Sequence, residues 1–426
     1  MQPAMPRSCS HVRSTLLALL AAAAGSAHAT NGYFSHGYGA KALGQAGVGV
    51  AWSQDALAAA TNPAGTLPVG ERLDLGLTWF APKRRAAIVG NAFGADADFD
   101  GNGKKNFYIP EFGWATRLSP GLAAGVAVYG NGGMNTDYAA NPYARFGASG
   151  RAGVNLEQLF VSPSLAWQPA AGHSLGLSLP IAHQRFKAQG LGFFRAFSSA
   201  PGQVSDQGTD TSTAAGLRLG WQGRVTDELT LGATWASRIH GRFKKYAGLF
   251  AEQGGFDVPE DYAIGLRWQA APDWALGADV QTIRYSRVAS VGQSLAPLLK
   301  GQPLGASQGP GFGWKDVTVL KLGVEHRVDG TLALRAGVSH GNQPVPRSET
   351  FFNILAPGVV RDHVSLGATV AATGGEWTVY AAHALGHTVT GSGSIPAGNP
   401  PGGFGGGNAV VRLSENLLGV AYAWKF

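Results

Sequence analysis

Beyond Glu71, apolar residues alternate with small or polar ones through segment after segment. In the last of these, Leu418, Val420, Tyr422, Trp424 and Phe426 share one face, and Leu417, Gly419, Ala421, Ala423 and Lys425 the other. Tyr262, Ile264, Leu266 and Trp268 oppose Ala263, Gly265, Arg267 and Gln269 in the same way, and Leu276, Ala278 and Val280 oppose Gly277, Asp279 and Gln281. A period of two is the signature of a strand. The pattern predicts strands at 71–82, 106–118, 121–131, 152–168, 173–188, 212–225, 229–246, 257–270, 273–289, 316–328, 331–342, 359–371, 376–389 and 409–426, fourteen in all.

Alternation does not say whether the apolar face meets water-excluding protein or lipid; the connections do. Ser119-Pro120, 168–172, 226–228, Ala271-Pro272, Asp329-Gly330 and 372–375 are short, and they alternate with long links such as 83–105, 189–211, 290–315 and 390–408. An even number of strands joined by short turns on one side and long loops on the other is the pattern of a bacterial outer-membrane barrel. The fold class expected is therefore all-β, a transmembrane antiparallel β-barrel with both termini in the periplasm. Trp79, Trp114, Trp167, Trp221, Trp268, Trp274, Trp377 and Trp424 fall at strand ends, where interfacial aromatic girdles are expected. Tyr422, Trp424 and Phe426 resemble the C-terminal aromatic signal of such barrels, which implies the barrel-assembly machinery as a partner through Phe426.

The first residues add a compartment. Arg7 and Arg13 precede an apolar stretch from Leu16 to Ala24, and Ala27-His28-Ala29 suits signal peptidase, so 1–29 is expected to be a signal peptide and the mature chain to start at Thr30. The single cysteine, Cys9, leaves with that leader. Closure of a hydrogen-bonded ring can stabilise a barrel without disulfides. Loss of Arg7 and Arg13 leaves 31 of the 33 Lys and Arg against 26 acids, a net charge near +5, scattered singly along the strands. No basic footprint for nucleic acid is present. The 63 glycines are about twice average usage, and in strands they make room inside a barrel or for a close neighbour.

Residues 30–70 do not alternate. They are rich in Gly and Ala, carry a short helical stretch around Gln54 to Ala60, and are too few for a separate domain but enough to plug a lumen. The Gly-rich entry from Gly39 to Gly47, Asp55 in the acidic helix, and Asn62, Pro63 and Ala64 together resemble the FadL/TodX family of outer-membrane transport proteins, whose hatch carries an Asn-Pro-Ala motif. The segments from Val128 to Tyr138 and Phe352 to Gly358, with Asp362 and His363, add to the resemblance. The resemblance implies a barrel of about fourteen strands over 71–426 with 30–70 as an N-terminal hatch inside it. It also implies a kink in the third strand, which opens a gap in the wall. Hydrophobic molecules (fatty acid, alkane or aromatic hydrocarbon) would bind among the loops, enter a pocket and leave sideways through that gap. Gly125 and Gly130 are the candidates for the bend, with ordinary small-residue packing as the alternative, and Asn62 could bond the freed backbone.

Tyr33 and Phe34 of the hatch are candidate ligand contacts, as are Arg218, Arg267, Lys321 and Arg335, which strand parity points inward where a carboxylate would need a cation. Plug packing and internal salt bridges are the competing readings. Asp96, Asp98, Asp100 and Asn102 open like an EF-hand, but the twelfth position is Phe107 and a strand follows, so a solvated loop is expected rather than calcium. His383 and His387, with shared strand parity, lie ~13 Å apart on a strand, too far for one zinc. No Walker sequence and no nucleophile with a base at useful spacing occur. No enzyme, cofactor, metal or nucleic acid is therefore expected, and passive transport by a monomer among outer-membrane lipid and lipopolysaccharide is. A general or substrate-selective porin for polar solutes is the alternative.

Overall fold

The computed structural model describes residues 31–400 and 402–426; the expected signal peptide, with Cys9 and Thr30, lies outside the described residues. Strands β1 (Arg72–Val89), β2 (Phe107–Ser119), β3 (Leu122–Tyr138) and β4 (Ala152–Ala170) begin the sheet. β5 is interrupted (His173–Ser178, Ile181–Gln189), as is β6 (Asp210–Ala215, Arg218–Arg224). Then follow β7 (Leu229–Ala236), β8 (Asp261–Ala271), β9 (Trp274–Ile283), β10 (Val317–Arg327), β11 (Leu332–Gly341), β12 (Asp362–Ala372), β13 (Gly375–Thr390) and β14 (Asn408–Lys425). Each pairs antiparallel with its sequence neighbours. β14 returns to β1 from Arg72↔Lys425 to Val89↔Asn408, which closes a 14-stranded barrel and removes both edges. No helix among the described residues is long enough to span a bilayer, so the strands do it.

The period of two sets which side meets lipid. Ile264, Leu266 and Trp268 of β8 and Leu366 and Val370 of β12 are exposed, whereas Asp261, Ala263, Ser365 and Thr369 of the same strands are buried. In lipid the apolar face needs no cover, and every interior strand hydrogen bond stays within the ring.

Four strand ends differ from the sequence expectation by six residues or more, for two physical reasons. β1 runs on to Val89 and β3 to Tyr138. Their outer ends carry exposed Lys83 and Arg85 or polar Asn131 and Asp137, so the lipid-type alternation stops although the ladder continues. β7 and β9 stop early, at Ala236 and Ile283. Beyond them Ile239, Phe243, Tyr285 and Val288 are buried in a core formed by the long loops, and that burial mimics strand patterning in the sequence.

The segment 31–70 packs against the lumen side of strands from all round the ring. Lys321 Nζ of β10 donates to the His36 carbonyl (2.8 Å). Ser365 Oγ of β12 accepts from Ala46 N (2.6 Å), and Asp279 of β9 accepts from Gly49 N and Val50 N (2.7 and 3.0 Å). Small inward residues make the approach possible: a Cβ on Gly337 of β11 would lie 2.3 Å from the Gln45 carbonyl carbon.

Candidate functional site: a break in the barrel wall

β2 pairs with β1 all the way from Phe107 to Ala115, but its ladder to β3 runs only between Ser119↔Leu122 and Phe112↔Val128. Farther out, Phe107–Glu111 and Tyr129–Gly133 part company. Pro110 has no N–H to offer across the gap. On its other side β3 stays with β4 and slips register between Gly130 and Gly132, leaving Asn131 as the extra residue of a bulge. The groups released there are taken up by the N-terminal segment: Ser35 N donates to Asn131 O (2.8 Å), Gly133 N to Tyr33 O (2.9 Å), and Phe34 forms a bridge with Gly132. Only glycine fits at 132, since a Cβ would stand 1.7 Å from the Tyr33 carbonyl oxygen. The Asn131 amide is fixed by Tyr38 Oη (2.8 Å) and Gln158 (3.0 Å). Above the break the wall is rejoined: Asp137 N donates to Gly101 O (3.0 Å), Gly103 N to Asp137 O (2.9 Å), and Arg84 reaches from β1 to Asn135 O and Oδ1 (2.8 and 2.6 Å). The opening is therefore a bounded window.

Two small cavities lie inside it. One, of about 40 Å³, sits among the loops and is lined by Phe186, Phe194, Phe250, Phe312 and Phe352, with Ser290 as the polar exception. The other, of about 30 Å³, lies against the window strand between Gly133, Asn135, Pro82 and Arg84. Met134 lines both. Met is unbranched and readily changes rotamer, which suits a movable partition. Beside them the tip of the N-terminal segment is held in an aromatic cluster. Tyr285 Oη accepts from Tyr33 N and Phe34 N (3.1 and 3.2 Å), and the Tyr33 ring meets Tyr285 at 5.0 Å and Trp314 at 5.8 Å between centroids.

Residues 17–392 match the family model of outer membrane protein transport proteins (OMPP1/FadL/TodX). The chain belongs to this family. Its outer-membrane location follows. Among solved structures, a Pseudomonas aeruginosa FadL homologue superposes with a TM-score of 0.69 at 16% identity, over 93% of this chain and 100% of that one. The Pseudomonas putida toluene transporter TodX gives 0.64 at 16% identity over 92% and 99%, and the Ralstonia pickettii toluene transporter TbuX 0.61 at 16% over 92% and 99%. At that identity they speak for the fold. Among curated proteins none matches the chain.

Within this FadL/TodX-family barrel the residues singled out in the sequence are spread over several levels. Asn62 is buried, but its amide does not reach the third strand. It donates to Val50 O (2.7 Å), to Trp221 O of β6 (2.9 Å) and to Ala233 O of β7 (3.4 Å), while its oxygen accepts from Ala64 N (3.1 Å). Pro63 and Ala64 press on Gly176 of β5, where a Cβ would come within 2.1 Å of Ala64 N. The bend is at Gly130–Gly132. Gly125 remains paired on both sides and makes room for Thr66, 2.9 Å from where its Cβ would be, as in the small-residue alternative.

The four cations point inward as parity required. Arg218 pairs with Asp261 (3.0 Å) and donates to Thr61 O, Lys321 holds His36 O and Gln281, and Arg335 pairs with Glu325 (2.6 Å). Arg267 lies over the Trp52 ring (5.5 Å) in a vestibule of about 800 Å³ on the side of the short connections, which also holds Lys41, Arg72 and Arg335. None lines the two cavities at the window. Asp96 accepts from Gly90 N and Asn91 N, which holds its carboxyl below the usual range, and Asp100 accepts from Asn102. The shared parity expected of His383 and His387 is corrected by a register shift between Ala384 and His387: His383 lies opposite Asn416 on the outer face and His387 opposite Leu413 on the inner. Met134, Pro110 and Gly132 were missed. The one signal near them was Gly130-Asn131-Gly132-Gly133, which breaks alternation at the end of a segment read only to 131.

Proposed function

We propose that this barrel carries hydrophobic small molecules passively across the outer membrane, by capture in the apolar cavity among the loops and sideways exit through the β2–β3 window. One observation carries the reading: the ladder is broken where apolar cavities approach the wall from within, with Met134 between them. An apolar molecule gains nothing from a charged vestibule, and leaving the barrel at membrane level spares it that passage. Residues 31–70 act as the hatch, with Tyr33 and Phe34 fixing the inner edge of the window. The lumenal cations are spent on internal partners, which favours cargo without a carboxylate, and the toluene transporters of the same fold fit that chemistry.

The test is to close the window. Pro110→Cys and Gly130→Cys would stand opposite each other if the ladder ran on, and the mature chain contributes no other thiol. A reversible bifunctional thiol reagent should then abolish uptake of radiolabelled toluene while binding persists, and reduction should restore it. Undiminished uptake by the fully cross-linked barrel would exclude sideways exit.

A further inference from the structure

The inner mouth of the window contains a polar group that an all-apolar route does not use. Glu415 of β14 points into the lumen, is fully buried, and neither carboxyl oxygen has a hydrogen-bond partner among the described residues. Its side chain lines the 30 Å³ cavity behind the window strand. The cross-strand neighbours, Pro82 on β1 and Ala384 on β13, have no side-chain donor. Arg84, on the same cavity, gives its hydrogens elsewhere: to Asn135 O and Oδ1 and to the Lys104 carbonyl. Asn135 also lines it, but its amide donates to Asn155 Oδ1 (2.8 Å), and the remaining lining, including Phe80, Met134, Pro357 and Leu413, is apolar. A buried carboxyl without a donor is costly, and such groups in native proteins call for an explanation. The cavity exceeds the ~10–15 Å³ that one water-sized group needs.

We infer that Glu415 is a specificity-determining residue at the window, accepting a hydrogen bond from the O–H of a cargo molecule whose apolar body lies under Met134. The cargo class is then an uncharged hydrocarbon bearing a hydroxyl group, such as a phenol or an alcohol. An ionised fatty acid would bring a charge into this cavity, whose one cation, Arg84, is already committed to Asn102, Asn135 and Lys104. The inference rests on the transport reading above and adds to it a preference within the hydrophobic class.

The experiment compares ligands of matched shape on the unmodified, purified barrel. 4-Methylphenol and 4-methylanisole differ by replacement of the O–H by O–CH₃, and toluene reports the apolar site. After correction for partition into detergent, 4-methylphenol should bind about tenfold tighter than 4-methylanisole, as expected for a hydrogen bond to a buried carboxyl oxygen. Glu415→Leu should remove that preference and leave toluene affinity within about twofold, while Glu415→Gln, which keeps an acceptor oxygen, should retain part of it. Equal binding of the two ligands by the wild type, or an undiminished preference in Glu415→Leu, would overturn the inference while leaving transport intact. Failure of the wild type to bind any of the three would instead overturn the transport reading and this inference with it. The ligand comparison needs no variant, so a folding defect in Glu415→Leu cannot obscure the result.

Discussion

At the scale of single residues, the sequence indicated identity better than partners. Asn62-Pro63-Ala64 stood out as a motif, yet which carbonyls its amide would meet depended on the ring bringing β6 and β7 beside it, a long-range fact with no local signature. The same holds for the lumenal cations: parity placed Arg218, Lys321 and Arg335 correctly, but Asp261, Gln281 and Glu325 come from other strands. For Asn62 the contacts give a definite expectation. Asn62→Ala removes the donor for two carbonyls within 3 Å, Val50 O and Trp221 O, and the acceptor for Ala64 N. Val50 O keeps its bond from Gln222 (3.1 Å), but Ala64 N loses its acceptor, and a buried group left unpaired costs about 1–3 kcal/mol. Amides of 48–66 should therefore exchange with solvent about ten- to a hundredfold faster in the variant, while those of the strands stay as protected as before. Unchanged exchange in 48–66 would mean that Asn62 does not hold the hatch.

At the scale of elements, all fourteen strands were legible because lipid imposes alternation wherever a strand crosses the bilayer. Legibility failed where lipid stops. The outer ends of β1 and β3 carry charge and polarity although they remain in the ladder, and the loop core after β7 and β9 imitates a strand. The window was expected only through the family resemblance and left no local pattern, for a related reason: it consists of hydrogen bonds not made, and Pro110 and Gly132 contribute by what they lack. Within that element Met134 lines both cavities, and its role can be tested by volume alone. Met134→Ala should join them into one apolar space and raise toluene influx into vesicles several-fold, whereas Met134→Trp should fill the passage and reduce influx, with assembly followed by heat-modifiable migration. If the two substitutions moved the flux in the same direction, or not at all, Met134 would not be on the route.

At the scale of the whole molecule the question is whether anything passes straight through. On the lumen side the segment 31–70 has its backbone bonded to β9, β10 and β12 at once. Below it the vestibule is wide and charged, and above it the buried aromatic cluster of Tyr33, Tyr285 and Trp314 stands where a solute would enter. A sugar taking this path would exchange its water for a lining with few donors and acceptors, at several kcal/mol for each unpaired hydroxyl. A general porin has the opposite arrangement, a continuous wet lumen lined by charge. The short connections of this chain expose only the vestibule to the periplasm, so charge there does not by itself make a pore. Vesicles carrying the barrel should therefore swell in arabinose no faster than protein-free vesicles, while the same preparation takes up toluene. Rapid swelling, at a rate proportional to the amount of barrel incorporated, would show a continuous water path and turn the assignment toward a porin for polar solutes.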